Sequence, residues 1–154
     1  MTLTDITTTK ESLAPVFERT PAVQAAYLFG SQADGSAGAQ SDIDLAVVLE
    51  EGTEEQFRLR ESVELELALG AALGTHNLDL VVLNRAPLPL RHRALATGKV
   101  LYSRDEVKRT DFVEQVTREY IDVEPWLRRV EREHLATLQE RYCPSVREHP
   151  VEGT

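Results

Sequence analysis

The segment at residues 42–49 constrains the fold most, because it combines a strand pattern with two carboxylates. It reads DIDLAVVL. Successive side chains of a strand point to opposite faces. One face therefore carries Ile43, Leu45, Val47 and Leu49, and the other carries Asp42, Asp44, Ala46 and Val48. A strand this apolar belongs inside a sheet, and both of its acids lie on one face.

A bound cation explains Asp42 and Asp44 best. Burying two like charges side by side costs free energy, and a divalent cation offsets that cost. Carboxylate oxygens are the ligands that Mg²⁺ prefers. In the alternative interpretation, Asp42 caps a turn at the start of the strand, which leaves only Asp44 to explain.

A third carboxylate, Asp79, interrupts the apolar segment NLDLVVL at residues 77–83. An unpaired acid inside such a strand is costly, and alternation allows it to share a face with Asp42 and Asp44. Three carboxylates from adjacent strands can hold two metal ions ~3.5–4 Å apart, an arrangement that serves phosphoryl and nucleotidyl transfer. The alternative is an Asp79 at the strand end that pairs with an arginine such as Arg85.

Gly30 and Ser31 follow the first apolar strand, which is predicted at residues 22–29. Glycine lets the backbone approach a ligand closely. If Ser31 opens a short helix, its hydroxyl group and the free N–H groups form an anion site. The pair is informative only because of its position, with ten residues between Ser31 and Asp42.

Helices are predicted around these strands. The first covers residues 9–19 and has its N-cap at Thr8 or Thr9. A longer helix covers residues 54–73, ends at Gly74 and buries an apolar residue at every fourth position. That stripe consists of Leu59, Val63 and Leu67.

The C-terminal third is predicted to be mainly helical. A short helix that follows two prolines closes at Gly98, and residues 100–102 add an edge strand. From Asp105 the chain forms a long helix, which Pro125 should kink or divide. Its apolar stripe comprises Phe112, Val116, Tyr120, Val123, Leu127 and Val130. We expect part of this stripe to dock a partner helix.

The composition narrows the classes of function. The chain has 154 residues, enough for one core, and its net charge of −9 disfavours tight binding of a long polyanion. A single cysteine excludes an internal disulfide, and no apolar run is long enough for a membrane span or a secretory signal. These features predict a cytoplasmic protein. His134 and Cys143 have no partners at ligand spacing and are predicted to be structural or incidental.

The charge is unevenly distributed. Residues 34–79 contain eleven acidic residues and two arginines, whereas residues 85–104 contain five basic residues and no acid. An acidic centre beside a short basic segment suits a divalent metal together with a small polyphosphate. On charge alone, the favoured interpretation is a solvated acidic helix beside a basic one. Residues 91–93 could steer the triphosphate or meet an acidic partner, but a solvated helix face is the favoured interpretation there as well.

The glycine–serine pair and the two aspartates together resemble a known signature. Gly30-Ser31, ten intervening residues and Asp42-Ile43-Asp44 match the GSx10DxD pattern of the minimal nucleotidyltransferases (MNT), within the DNA polymerase beta-like superfamily. The segments YLFGSQADGSAGAQSDIDLAVVLE and LDLVVLNRAPLPLRHRALATGKVLYSRD resemble the antitoxin of MNT–HEPN toxin–antitoxin systems. The resemblance covers residues 20–112.

The resemblance implies an α/β (α+β) fold, in which a mixed nucleotidyltransferase sheet is flanked by helices and followed by a C-terminal helical extension. The nucleotidyltransferase domain would cover residues 1–104. The helical extension of the same domain would cover residues 105–142, and residues 143–154 would form a flexible tail.

The resemblance also implies a role for each candidate residue. Gly30 and Ser31 would contact the β- and γ-phosphates of ATP, and Asp42 and Asp44 would bind two Mg²⁺ ions. Asp79 would complete the catalytic metal site and help to activate the incoming hydroxyl group. The reaction would transfer AMP from ATP to a tyrosine of a partner HEPN-domain ribonuclease toxin, release pyrophosphate and silence the toxin. No direct contact with nucleic acid or membrane is expected.

One position departs from the family pattern. Asp34 stands where the family commonly has an arginine, four positions after Gly30. We hypothesise that this weakens triphosphate binding, or that an arginine from residues 85–93 substitutes.

Two other functions stay open. A small-molecule nucleotidyltransferase, for example one that inactivates an antibiotic, usually has a larger second domain for its acceptor, and only fifty residues follow Arg104. A non-catalytic antitoxin subunit would keep the fold and block its partner sterically. The presence of Asp42, Asp44 and Asp79 argues against that role.

Overall fold

Four β-strands and four α-helices make up the part of the chain that the structure describes. The structure is a computed structural model, and it describes the backbone of residues 5–30 and 42–142 and the side chains up to residue 134. Ser31, Asp34 and the predicted tail at residues 143–154 lie outside the described residues.

The strands form one mixed sheet. They are β1 (Val23–Phe29), β2 (Ile43–Leu49), β3 (Leu78–Val82) and β4 (Lys99–Ser103). Their order across the sheet is β3-β2-β1-β4. β1 pairs antiparallel with β2 and with β4, whereas β2 and β3 are parallel. This confirms the mixed sheet and the edge position predicted for the last strand.

The helices are α1 (Ile6–Glu18), α2 (Leu59–Leu73), α3 (Leu88–Thr97) and α4 (Glu106–Tyr142), and a 3₁₀ turn covers Leu83–Arg85. The first helix begins earlier than predicted because its N-cap is Asp5. The Asp5 carboxylate accepts a hydrogen bond from the Thr7 amide at 2.9 Å, which satisfies one of the free N–H groups of the first turn. Gly74 and Gly98 end α2 and α3 as predicted.

The sheet carries an apolar cluster on each face. On one face, buried side chains of α1 and α2 pack against four residues of β2, namely Ile43, Leu45, Val47 and Leu49. On the other face, Ala46 and Val48 pack with residues of β1 and with Ala94 of α3. The predicted alternation is therefore confirmed for Ile43–Leu49, whereas Asp42, predicted to begin the strand, precedes it. The alternation places the Asp44 side chain on the face that α3 covers.

The start of α2 differs from the prediction. The helix begins at Leu59 rather than at Glu54. Its first turn is closed by the Glu61 carboxylate, which accepts a hydrogen bond from the Arg58 amide at 2.9 Å. Phe57, just before the helix, is buried in the cluster that α1 and α2 share. This buried residue and the capping contact together fix where the helix begins.

The buried face of α2 also differs from the prediction. Its buried leucines are Leu65, Leu69 and Leu73. The predicted stripe is exposed, at 79% for Leu59, 41% for Val63 and 67% for Leu67. Both sets of residues repeat every four positions, which is the spacing of one face of a helix. Periodicity alone therefore does not distinguish the two faces, and the packing against the sheet selects one.

Truncating leucines on the two faces of α2 should have unequal effects. Leu69 is fully buried, so Leu69→Ala is expected to lower the free energy of unfolding by roughly 2–5 kcal/mol. Leu67→Ala, the matched control on the exposed face, should change it by less than about 0.5 kcal/mol. Urea unfolding followed by circular dichroism measures both values. Equal losses would contradict the buried face assigned to α2.

The last helix, α4, continues through Pro125, so this proline does not divide it. The chain comprises two compact units, residues 1–117 and 118–154. In the first unit, Val116 is buried and Phe112 packs against the cluster on the Asp44 face. In the second unit, Val130 of the predicted apolar stripe is exposed. No helix in the described part of the chain combines the length and the apolar character needed to cross a membrane.

Candidate active site

Asp44 and Asp79 lie side by side on two parallel strands. In the register of β2 and β3, Asp44 is the direct partner of Asp79. Alternation places both acids on the face that carries Ala46 of β2 and Val81 of β3. The structure thus brings together two of the three carboxylates that the sequence nominates.

Gly30 lies directly against Asp44. Antiparallel pairing puts Phe29, the last residue of β1, opposite Asp44. The next residue, Gly30, has a φ of +71°, a left-handed conformation that side chains disfavour. A Cβ atom at Gly30 would lie 2.4 Å from Oδ2 of Asp44. The backbone conformation therefore favours glycine, and any other residue here would displace the Asp44 carboxylate. Ser31, the other predicted phosphate-binding residue, falls in the segment that is not described.

The pKa of the Asp44 carboxyl group is raised. Burial is the largest cause, because a poorly solvated site disfavours the charged form, and the negative charges of Asp79 and then Asp42 add to the shift. The Arg93 guanidinium opposes it. Both of the other predicted carboxylates therefore act on Asp44. A cation close to Asp44 would favour its ionised form.

The carboxylates suit a metal ion but do not already form a closed site. Within the described side chains, no three His, Cys, Asp or Glu residues are arranged to hold one ion together. Asp44 is half-buried, whereas Asp42 and Asp79 are exposed. Burial and the charges of Asp79 and Asp42 raise the pKa of Asp44, and a divalent cation would offset this cost of ionisation. Hard carboxylate oxygens fit Mg²⁺, so the residues present are compatible with that ion.

Arg85 is engaged away from the carboxylates. Its guanidinium donates hydrogen bonds to the main-chain carbonyl oxygens of Glu54 and Phe57. These contacts hold the loop before α2 against the 3₁₀ turn. A pairing of Arg85 with Asp79 was the alternative explanation for the acid in β3, and the structure directs Arg85 elsewhere.

Arg93 is the functional candidate that the sequence pattern does not single out. It lies on α3 next to Ala94, which is fully buried in the cluster on the Asp44 face. This packing brings the charge of Arg93 close enough to act on Asp44. The sequence signals are the acid-free segment at residues 85–104 and the hypothesis that an arginine from residues 85–93 replaces the arginine of the family pattern. The sequence does not show that α3 lies over this face of the sheet. That position is what distinguishes Arg93 from the other basic residues of the segment.

Removing the charge of Arg93 should raise the pKa of Asp44 further. Arg93→Gln takes away the positive charge that favours the carboxylate, while burial and the two neighbouring acids remain. A ¹³C NMR titration of the Asp44 carboxyl carbon measures the change. Arg60→Gln is the matched control, because Arg60 pairs with Glu64 at 3.1 Å on α2, which packs on the other face of the sheet. An equal response to both substitutions would contradict the proximity of Arg93.

The family comparison identifies the domain that contains the sheet. Residues 11–107 match the family model described as Polymerase beta, Nucleotidyltransferase. The matched region contains the four strands, Gly30 and all three candidate carboxylates. The curated proteins, by contrast, include no sequence match to the chain.

Solved structures share the fold over most of the chain. One is the crystal structure of a toxin–antitoxin with AMP-PNP, with a TM-score of 0.69, 24% identity and coverage of 82% of this chain and 98% of that chain. Another contains a tri-AMPylated Shewanella oneidensis HEPN toxin in complex with MNT antitoxin, with a TM-score of 0.66, 21% identity and coverage of 85% and 99%. At these identities the similarity establishes the fold.

A closer sequence match comes from a shorter structure. A protein assigned as a minimal nucleotidyltransferase is 32% identical, with a TM-score of 0.52 and coverage of 64% of this chain and 95% of that chain. The family model matches more than half of the present chain and includes its carboxylate pair. The chain therefore belongs to the polymerase beta nucleotidyltransferase family and is one of its minimal nucleotidyltransferases.

Proposed function

We propose that the chain is a Mg²⁺-dependent protein adenylyltransferase that acts as an antitoxin. It would transfer AMP from ATP to a tyrosine of a HEPN-domain ribonuclease toxin and thereby silence the toxin. The observation that carries the proposal is the pairing of Asp44 with Asp79, with Gly30 against the Asp44 carboxylate. Paired carboxylates beside a glycine turn suit a triphosphate that is bound together with metal ions.

Each site residue has a distinct role in this proposal. Asp42, Asp44 and Asp79 would hold two Mg²⁺ ions, which when bound neutralise the triphosphate and polarise the reacting phosphorus centre. Gly30 and Ser31 would contact the β- and γ-phosphates, because the missing side chain at Gly30 lets the backbone approach them.

The proposed reaction is an in-line displacement at the α-phosphorus of ATP. The tyrosine oxygen forms a new P–O bond while the bond to the bridging oxygen of the β-phosphate breaks, and pyrophosphate leaves with the electron pair. The hydroxyl proton passes to the Asp79 carboxylate and from there to water. Asp79 suits this role because it is exposed and lies beside the half-buried Asp44. The Arg93 guanidinium adds positive charge near the triphosphate.

Structures with the same fold support a protein acceptor. One similar chain comes from a toxin–antitoxin with AMP-PNP, and another from a complex of a tri-AMPylated HEPN toxin with MNT antitoxin. The present chain covers 98% and 99% of those chains, so the analogy extends over their whole length. By this analogy we infer ATP as the nucleotide and a HEPN toxin as the partner in a hetero-complex.

Intact-mass spectrometry of the protein and its gene neighbour tests the proposal. The two proteins are purified together, incubated with Mg²⁺ and ATP, and weighed. We expect one or more adenylyl increments on the neighbour and none with the Asp42→Asn, Asp44→Asn double variant. A stable complex without any increment would favour the steric antitoxin subunit. Failure to form a complex would favour a small hydroxylated acceptor instead.

A further inference from the structure

The outer side of α2 carries a row of exposed apolar side chains. Leu59, Val63 and Leu67 are 79%, 41% and 67% exposed. They follow one another at intervals of four residues, so they line one side of the helix, and the exposed Ala71 continues the row. Contiguous exposed apolar patches mark interaction surfaces, whereas single exposed residues need no explanation. The proposed reaction uses none of these residues.

A groove adjoins this apolar row at the C-terminal end of α2. Its volume is about 550 Å³, and it lies between the end of the helix and the start of β3, the outermost strand on that side of the described sheet. Leu67 and Ala71 of the row line it, together with Gly70 and Gly74. Because glycine has no side chain, a neighbouring helix can approach the backbone closely there. The row therefore begins with a protruding leucine, Leu59, and ends in a hollow.

This shape fits a second copy of α2 that runs in the opposite direction. Leu59 and Leu67 are each four residues from Val63, on either side of it. If two copies of the helix cross at Val63, Leu59 of each chain lies at the level of Leu67 of the other and enters the groove beside it. Such an interface is isologous, because both chains use the same surface, and it closes after two copies. A parallel pair would place the two Leu59 side chains against each other and leave both grooves empty.

The charges beside the row also fit an antiparallel pair. Arg60 and Glu64 lie next to each other on one flank, where Nε of Arg60 is 3.1 Å from Oε1 of Glu64. In an antiparallel pair with two-fold symmetry, this flank of one helix meets the same flank of the other. Arg60 and Glu64 lie on opposite sides of Val63 along the helix, so Arg60 of each chain comes close to Glu64 of its partner. The flank is therefore complementary to itself, which favours this register.

The surface lies away from the candidate active site. α2 packs on the face of the sheet opposite to the one that carries Asp44. Every residue of the apolar row and of the groove belongs to the first compact unit. An interface at this surface would therefore leave the candidate active sites of both chains uncovered.

We propose that the apolar row and the groove of α2 form the contact between two copies of this chain, arranged antiparallel about Val63. One pair of helices makes a small interface beside the roughly 1,200–2,000 Å² that stable complexes bury. The dimer should therefore be weak, with a Kd on the order of 10 μM. This inference does not depend on the proposed transfer reaction.

Sedimentation velocity of the isolated protein, at concentrations below and above that Kd, tests the dimer. Leu59→Glu and Leu67→Glu should each raise Kd at least about tenfold, because a charge would enter the apolar contact. Val107→Glu is the matched control, since Val107 is 69% exposed but lies on α4, outside the row and the groove. A wild-type protein that stays monomeric, or an equal effect of the control, would overturn the proposal.

Charge reversal tests the self-complementary flank. Arg60→Glu should raise Kd severalfold, because acids would then meet acids across the interface. The double variant Arg60→Glu, Glu64→Arg should restore dimerisation, since it exchanges the two charges in both chains. A double variant as weak as Arg60→Glu alone would contradict this register.

Engineered cysteines determine the direction of the two helices. In a Cys143→Ser background, Val63→Cys should form a disulfide-linked dimer, because position 63 lies at the two-fold axis. Leu59→Cys and Leu67→Cys should cross-link with each other in a mixture but not with themselves. Self-linking of Leu59→Cys would indicate parallel helices and overturn the antiparallel pair.

Co-purification distinguishes a second copy from another protein on the same surface. We expect Leu67→Glu to leave binding to the gene neighbour unchanged. Loss of that binding in Leu67→Glu, with a wild-type chain that is monomeric by itself, would assign the row to the neighbour and overturn the proposal.

Discussion

Asp44→Asn is expected to abolish adenylyl transfer and at the same time to stabilise the metal-free protein. Transfer should fall by at least about 10³-fold, because metal-ion stabilisation contributes several kcal/mol and about 1.4 kcal/mol corresponds to a factor of ten. Stability should rise because burial and two neighbouring acids disfavour the charged Asp44, and asparagine carries no charge. Loss of activity together with a gain in stability is the pattern of a functional residue that strains the fold.

The raised pKa of Asp44 also predicts how the stability difference between the wild-type protein and Asp44→Asn changes with pH. The pKa of Asp44 in the folded chain lies above the ordinary value of 3.8, so the folded chain keeps this proton to a higher pH than the unfolded chain does. As the pH rises from 3.8 through the folded-state pKa, the wild-type protein should lose stability relative to Asp44→Asn, and the difference should then stay constant.

Thermal unfolding with and without Mg²⁺ and ATP measures these effects. The ligands should raise the Tm of the wild-type protein, because they bind only the folded state, and should leave that of Asp44→Asn unchanged. Asp122→Asn, in the second compact unit, is the control and should behave like the wild type. Transfer at the wild-type rate by Asp44→Asn would refute the role of Asp44. A Tm difference that does not vary with pH would refute the raised pKa.

Gly30→Ala is expected to reduce transfer by about 10²-fold, because even a 1 Å displacement of a catalytic group has an effect of that size. The new Cβ atom would lie 2.4 Å from Oδ2 of Asp44, so the carboxylate must move. The left-handed backbone at a φ of +71° adds a cost of about 1–2 kcal/mol to the folded state. Both the rate and the stability should therefore fall.

Gly52→Ala separates these two contributions. Gly52 has a φ of +83°, and a Cβ atom there would meet nothing within 4 Å. The substitution should lower stability by a similar backbone cost and leave the transfer rate unchanged. Transfer assays and thermal unfolding of both variants provide the comparison. Equal transfer by the two would mean that the contact between Gly30 and Asp44 does not matter for the reaction.

The candidate site was predictable where it depends on local patterns. Alternation along residues 42–49 determines which face Asp44 occupies, and an acid in an apolar strand draws attention to Asp79. Their pairing follows once β2 and β3 lie next to each other in parallel. The GSx10DxD spacing carried the family resemblance, which the match over residues 11–107 supports.

Other features depend on contacts between distant segments, and local patterns do not contain them. The leucines of α2 fall on two faces with the same spacing, and only packing against the sheet buries Leu69 and exposes Leu67. Arg93 acts on Asp44 because α3 lies over the same face of the sheet.

The most direct test of the central proposal follows a radioactive phosphate label from ATP to the partner protein. The purified protein and its partner are incubated with Mg²⁺ and ATP that carries ³²P at either the α- or the γ-position, and the proteins are separated and counted. Nucleotidyl transfer predicts that α-label appears on the partner, that γ-label does not, and that Asp44→Asn removes the α-signal. Label from the γ-position on the partner, or α-label that persists in Asp44→Asn, would contradict adenylyl transfer by this site.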